Sequence, residues 1–179
     1  YYHVGLSWQR TKKFFSKNIY DLYAISSNFF TYSNEVLKTA DIIKTTNPEA
    51  IIVVGGQNVG PEHALLSESP DIDHCLQGEG DHSFRKLVRS IINRSTVNDI
   101  PGIYDQSKKT WNDVKKTYDF DLRPLTEKLP SDNYKIAGDP AIMIATSRGC
   151  PMGCRFCSVS RTFGQKLRLK PAGTIIEEM

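Results

Sequence analysis

Residues 148–160, RGCPMGCRFCSVS, place three of the chain's four cysteines on one short loop, as Cys150-x3-Cys154-x2-Cys157. Clustered thiols point to metal or redox chemistry in a reducing compartment, since a secreted disulfide framework would spread its pairs along the chain. A structural zinc site needs four ligands, usually two separated pairs. No second pair exists here, and His74 and His82 lie far upstream, so zinc would need a distant fourth donor. A ferredoxin-type cluster also takes four thiolates, and Cys75 falls in a predicted strand. The alternative to both is a four-iron cluster held by Cys150, Cys154 and Cys157, with one iron left open for a substrate or cosubstrate. Gly149 and Gly153 let the backbone turn tightly and bring amides toward such a cluster. Phe156 offers a flat apolar face beside it.

A second set of residues lies upstream. Three successive predicted strands end in small or polar residues: Ser26-Ser27, Gly55-Gly56 and Gly78-Glu79-Gly80. Open parallel sheets bind ligands outside the carboxyl ends of their strands, and glycine there lets a large flat ligand lie on backbone. A strand-to-loop turn also uses glycine for its own geometry. Glu79 could accept hydrogen bonds from a ligand's amides or cap the helix that follows.

The elements behind these residues follow from pattern. Ser7 suits the N-cap of a helix whose apolar face carries Trp8, Phe14 and Phe15. A buried strand is predicted at about 20–26. Ser33 suits the next N-cap, with Val36, Leu37, Ala40 and Ile43 on one helical face and Pro48 beyond its end. IIVVGG at 51–56 reads as a strand of β-branched aliphatics closed by a glycine pair. Pro61 suits the first turn of a short helix. Another strand is predicted at about 72–77. From Asp81, a plausible cap, a helix repeats Phe84, Leu87, Val88 and Ile91. This β-α-β-α rhythm predicts parallel strands with covering helices. Residues 94–140 are polar and proline-punctuated, with a small hairpin around IPGIYDQSKKTW. AIMIATS at 141–147 reads as a new buried strand running into the cysteine loop.

The bulk numbers bound the rest. The 179 residues are 39% hydrophobic with a formal charge of +3, as in a soluble globular protein without a strong pull toward nucleic acid or membrane. No apolar run is long enough to span a bilayer, and no signal peptide is visible. The chain opens on Tyr1 and stops at Met179 inside a predicted helix, so a fragment is expected. Six basic residues and no acidic one lie between 141 and 176, which reads as a solvated basic face or as charge offsetting an anionic cluster. His3 and His63, His74 and His82 have no partner spacing and read as surface or capping residues. Cys75 reads as a small core side chain.

TSRGCPMGCRFCSVS resembles the cluster loop of the radical S-adenosylmethionine enzymes, including the aromatic before the last cysteine. The resemblance implies a 4Fe-4S cluster on Cys150, Cys154 and Cys157, whose open iron chelates the amino and carboxylate groups of S-adenosylmethionine. An external one-electron reductant would then trigger cleavage of the sulfonium and release a 5′-deoxyadenosyl radical. Phe156 would pack near the adenine. AIMIAT would be the first strand of that family's partial α/β barrel, of which few residues follow. Residues 163–179 resemble the family's run into its first helix, with Lys170 and Ala172 where a cap serine and a glutamate are usual.

The stretches DLYAISSNFFTYSNEV, IIVVGGQNVG and HCLQGEGDHSF resemble the cobalamin-binding domain that precedes many such barrels. By that resemblance Ser26, Thr31, Gly55, Gly56, Gln57, Gly78, Glu79 and Gly80 would surround the corrin or its nucleotide tail. Asn28 sits where a leucine is common, and the segment that would carry a cobalt-ligating histidine is not in this chain. The implied fold class is α/β: a partial doubly wound, Rossmann-like parallel sheet over 1–94, a linker over 95–140, and the start of a barrel over 141–179. The implied protein is a cytoplasmic cobalamin-dependent radical S-adenosylmethionine enzyme acting on a small-molecule or peptide substrate. Methyl transfer to an unactivated carbon or phosphorus centre is expected, with radical cyclisation or oxidation as the alternative within the enzymes. A non-catalytic corrinoid-binding or redox-sensing module is the alternative outside them. The fragment alone is expected to be inactive.

Overall fold

A computed structural model of the chain describes residues 5–60, 64–114 and 134–179. The chain divides into two compact units, Tyr1–Lys116 and Thr117–Met179. In the first, the β-branched run Ile51–Gly55 (β2) pairs in parallel with Leu22–Ser26 (β1) on one side and His74–Leu76 (β3) on the other. Alternation along these strands sends neighbours to opposite faces. Tyr23, Ile52, Val54 and Cys75 enter one core, while Val53 and Leu76 enter another. The first core is closed by the helix Ser33–Thr46 (α2), through Val36, Ala40 and Ile43, and by Leu66 of the short helix Ala64–Ser67 (α3). The helix Trp8–Lys17 (α1) adds Phe15. The second core is closed by Leu87 of the helix Gly80–Ile92 (α4), flanked by Phe84 and Ile91. With both faces covered, the parallel sheet is doubly wound, as expected.

Two helix starts differ from the sequence expectation. Ser7 does cap α1, its Oγ accepting from Arg10 N at 3.4 Å. Ser33, however, stands inside α2: its hydroxyl donates to Phe30 O at 2.8 Å, bridging back to the 3-10 turn Phe30–Tyr32. Asp81 lies in the first turn of α4, with Glu79 at the cap position making no side-chain capping bond. Pro61, expected in a helix's first turn, and His3 and His63 lie outside the described residues.

Residues 95–111, read from the sequence as the beginning of a linker, fall in the first unit and supply part of its core. Successive turns, Ile100 N to Val97 O and Ile103 N to Ile100 O, line up three apolar side chains at intervals of three. Ile100 and Ile103 are 1% exposed and pack with Leu76 and Leu87. The polarity of the segment concealed them. The expected hairpin follows, Tyr104–Asp105 (β4) against Thr110–Trp111 (β5), with Tyr104 and Trp111 packed on the first core.

In the second unit, Lys135–Ile136 (β6) and Asp139–Pro140 (β7) form a hairpin whose turn residues Ala137 and Gly138 both have positive φ. That is the backbone twist a two-residue hairpin turn requires. The buried strand expected at 141–147 is not formed. Residues 141–146 are in no strand, and Ile142 and Met143 are 56% and 94% exposed. A strand needs a neighbour's hydrogen-bond ladder, and the segment meets one at its end. There Ser147–Arg148 (β8) pairs antiparallel with Arg168–Leu169 (β9). Between them lies Val159–Phe163 (α5), and Ala172–Glu178 (α6) follows. As the substitutions at Lys170 and Ala172 imply, α6 begins at Pro171 with no side-chain cap.

Candidate functional site

The parallel register aligns Ser26 with Gly55, and Gly55 with Leu76, so the three strand ends form one edge. The turns leaving that edge are laced together. Ser27 N donates to Gly55 O at 2.7 Å, and Gln57 N to Asn28 Oδ1 at 3.4 Å. Asn28 Nδ2 donates to Ser26 Oγ at 3.1 Å, so the residue standing in place of a leucine works as a polar clamp on the edge. Thr31 sits in the exposed 3-10 turn beyond it, beside the exposed rings of Phe29, Phe30 and Tyr32.

The glycines of this edge are not equivalent. Gly56 has φ +113°, and a Cβ there would stand 2.5 Å from Ser27 O. Gly78 has φ +82°, and a Cβ would meet Val114 Cγ1 at 2.4 Å. Both are required by the chain's own packing. Gly55 has no such reason: a Cβ there would meet Leu76 O at an ordinary 3.5 Å. Gly80, with Phe84 Cβ at 3.7 Å, is also unconstrained. Bare backbone at Gly55, in the middle of the edge, is thus the observation that fits a flat ligand resting there. Glu79 is buried, 6% exposed.

Sequence reasoning placed Ser27 at a strand end but missed Asn58, its partner. Both are buried, and Asn58 Nδ2 donates to Ser27 Oγ and Ser33 Oγ, each at 2.9 Å. Asn58 Oδ1 is buried with no hydrogen-bond donor among the described residues. Such an orphan costs about 1–3 kcal/mol. The only sequence signal was an amide two residues past a glycine turn.

The cysteine loop leaves β8 directly. Gly149, at φ +93°, passes so close to Lys166 that a Cβ would lie 2.2 Å from its carbonyl oxygen. Cys150 N donates to Gly164 O at 3.0 Å, and Cys157 N to Cys154 O at 3.1 Å. The chain after α5 therefore braces the loop. Arg168 donates from Nη2 to Phe163 O at 2.7 Å, and the Arg148 guanidinium lies 6.0 Å from the centre of the Phe163 ring. Cys150, Cys154 and Cys157 are free thiols of intermediate exposure, and Phe156 is 93% exposed. Among the described residues no three His, Cys, Asp or Glu side chains converge on one metal-holding point. The donor set still fits a cluster: three free, accessible thiols on one loop, with no disulfide between them.

The other titratable candidates have structural roles. Cys75 is 3% exposed, and burial pushes its thiol up to about 12. Burial likewise holds the His74 imidazole below its ordinary value, against the opposing pull of Asp73. Asp73 accepts from Ile52 N at 2.7 Å and pairs with Lys44 at 2.9 Å. A cavity of about 660 Å³, lined in part by Ile51, Asp73, His74 and Tyr104, opens at the entrance to β2 and β3, and no predicted site residue lines it. Among the described residues no helix is long and apolar enough to cross a membrane.

A doubly wound sheet with a bare carboxyl edge, followed on the same chain by a three-cysteine loop, is the arrangement that the resemblance to the amino-terminal part of cobalamin-dependent radical S-adenosylmethionine enzymes implies. The chain is 35% identical over 147 residues to an uncharacterized methyltransferase of Pyrococcus horikoshii, covering 78% of this chain and 32% of that protein. It is 26% identical over 163 residues to the hopanoid C-3 methylase of Methylococcus capsulatus, covering 89% and 32%. The chain thus spans about a third of the length of these curated relatives. In fold it matches the radical S-adenosylmethionine methyltransferase TsrM of Kitasatospora setae, solved with cobalamin and a [4Fe-4S] cluster bound. The TM-score is 0.66 at 16% identity, covering 96% of this chain and 37% of that one. No protein-family model matches the chain.

Proposed function

We propose that this chain provides the cobalamin-binding edge and the cluster loop of a radical S-adenosylmethionine methyltransferase acting on an unactivated carbon or phosphorus centre. The observation that carries the proposal is the pairing of two sites on one chain: bare backbone at Gly55 on a parallel-sheet edge, and three free thiols on one braced loop. When bound, the cobalamin would carry the methyl group and the cluster would supply the electron that cleaves S-adenosylmethionine. Relatives named as methyltransferases or methylases, and a TsrM structure holding both groups, support this reading.

The chain's own residues supply binding and orientation. Cys150, Cys154 and Cys157 would hold the cluster, leaving one iron for the cosubstrate, and Phe156 would cover the adenine. The close approach of Gly149 to Lys166 braces the start of the loop that carries the thiols. Ser26, Thr31, Gly55, Gly56, Gln57, Gly78, Glu79 and Gly80 are the proposed corrin contacts. Among them Gly55 and Gly80 leave room, and Gly56 and Gly78 shape the turns. Three free thiols fit a reducing, cytoplasmic setting. An external one-electron reductant and a small-molecule or peptide substrate belong to the same proposal.

The test uses the complete protein with S-adenosylmethionine labelled at its methyl group, a strong one-electron reductant and hydroxocobalamin. Label in the product together with 5′-deoxyadenosine and S-adenosylhomocysteine is expected. Formation of 5′-deoxyadenosine with the label recovered only in methionine, and with no S-adenosylhomocysteine, would assign a cyclase or oxidoreductase instead.

A further inference from the structure

Asn58 follows the glycine turn at the end of β2 and is 4% exposed. It joins three segments that meet at the sheet edge. Its backbone N–H donates to Ser27 O at 2.9 Å, in the turn after β1. Its Nδ2 donates to Ser27 Oγ and to Ser33 Oγ, the latter in the first turn of α2. The orientation of the amide is dictated by Ser33. That hydroxyl has one proton, and it is spent on Phe30 O at 2.8 Å, so Ser33 Oγ can only accept from Asn58. The NH2 group therefore faces the two serines, and Oδ1 is left buried without a donor among the described residues. A buried acceptor left open is unfavourable, so the two serines hold the amide in this orientation at a cost.

The place of Asn58 supplies the second half of the argument. Ser27 is adjacent to Ser26, and Gly56 precedes Asn58 by two residues, so Asn58 ties the two turns that shape the edge to each other and to the start of α2. Gly55, the edge glycine that the chain's own packing does not require, lies between them. We propose, resting on the reading that this edge binds cobalamin, that Asn58 is a positioning residue for that ligand. It fixes the spacing between the turns after β1 and β2 and the start of α2.

The test measures hydroxocobalamin binding by visible absorption in the complete protein, well below its thermal midpoint, alongside the midpoint of the cobalamin-free protein. Asn58→Leu is expected to weaken binding at least tenfold, mainly through faster release, and to shrink the rise in midpoint that the ligand gives. Ser33→Ala, which removes one acceptor of the Asn58 amide and the donor to Phe30 O, is expected to weaken binding about threefold and serves if Asn58→Leu does not fold. Binding within twofold of wild type in the folded variants, with only the cobalamin-free midpoint lowered, overturns the proposal. Failure of the wild-type protein itself to bind hydroxocobalamin overturns instead the reading on which it rests.

Discussion

Each thiol's surroundings decide its chemistry. Cys75 is buried and its thiol is pushed up to about 12, so at neutral pH it is protonated and shielded. The other three are of intermediate exposure. Alkylation of the folded, metal-free protein with iodoacetamide is expected to modify Cys150, Cys154 and Cys157 while sparing Cys75, as read by peptide mass mapping. The glycines separate in the same manner. Gly56→Ala forces a Cβ against Ser27 O and should destabilise the fold, whereas Gly55→Ala should leave the thermal midpoint nearly unchanged and act only on corrin binding. Asp105 offers a pH signature. Hydrogen bonds from Ser107, then Lys108, hold its carboxyl at about 2 against an ordinary 3.8. The folded state therefore favours the ionised form: the stabilisation is complete above about pH 4 and disappears as pH falls through 2. The midpoint difference between wild type and Asp105→Asn should shrink over that window.

Individual elements show where sequence patterns were legible and where they failed. The strand at 51–55 and its parallel neighbours were legible because alternation and a continuous aliphatic run both specify a sheet buried on two faces. The start of α2 was misread because Ser33 has the residue type of a cap but uses its hydroxyl to close the turn behind it. AIMIATS has a strand's composition, yet composition cannot supply the neighbouring strand it needs. The second unit also holds a contact that no pattern announced. Lys170, where a cap serine is usual, reaches Glu178 at the far end of α6, their Nζ and Oε1 atoms 2.5 Å apart, both side chains buried at 3% and 9% exposure. Lys170 N also donates to Thr146 O, so the pair anchors the segments that carry β8 and the cysteine loop. Breaking a buried pair strands a charge, and Lys170→Met should cost about 3–5 kcal/mol. The double change Lys170→Met with Glu178→Leu should recover most of that loss, since two apolar side chains leave no charge behind. Chemical denaturation of the four proteins checks the cycle.

At the scale of the molecule, two sites sit on two separately compact units. The division of labour follows from their construction. The sheet edge offers backbone and small polar groups, suited to a large ligand with amide borders, while the loop offers soft sulfur donors suited to iron. Binding of the two groups should then be separable: Gly55→Ala should weaken hydroxocobalamin binding without changing iron uptake, and Cys157→Ala the reverse. The proposed cysteine ligands were legible in the sequence, because their spacing is short and they lie on one loop. The sequence disclosed the sheet edge only in outline. Which glycines are structural depends on Ser27, Asn28 and Val114, residues whose proximity appears only once the chain is folded. Asn58 was hidden for the same reason.

The central claim is that three protein thiolates leave one iron of a cluster open for S-adenosylmethionine. The most direct measurement is the electron paramagnetic resonance spectrum of the anaerobically reconstituted, reduced protein before and after S-adenosylmethionine is added. A [4Fe-4S] signal whose g-values shift on addition, and which is lost in Cys150→Ala, Cys154→Ala and Cys157→Ala alike, is the predicted result. A signal indifferent to S-adenosylmethionine, or a tetrahedral zinc site completed by a fourth protein ligand, would contradict it.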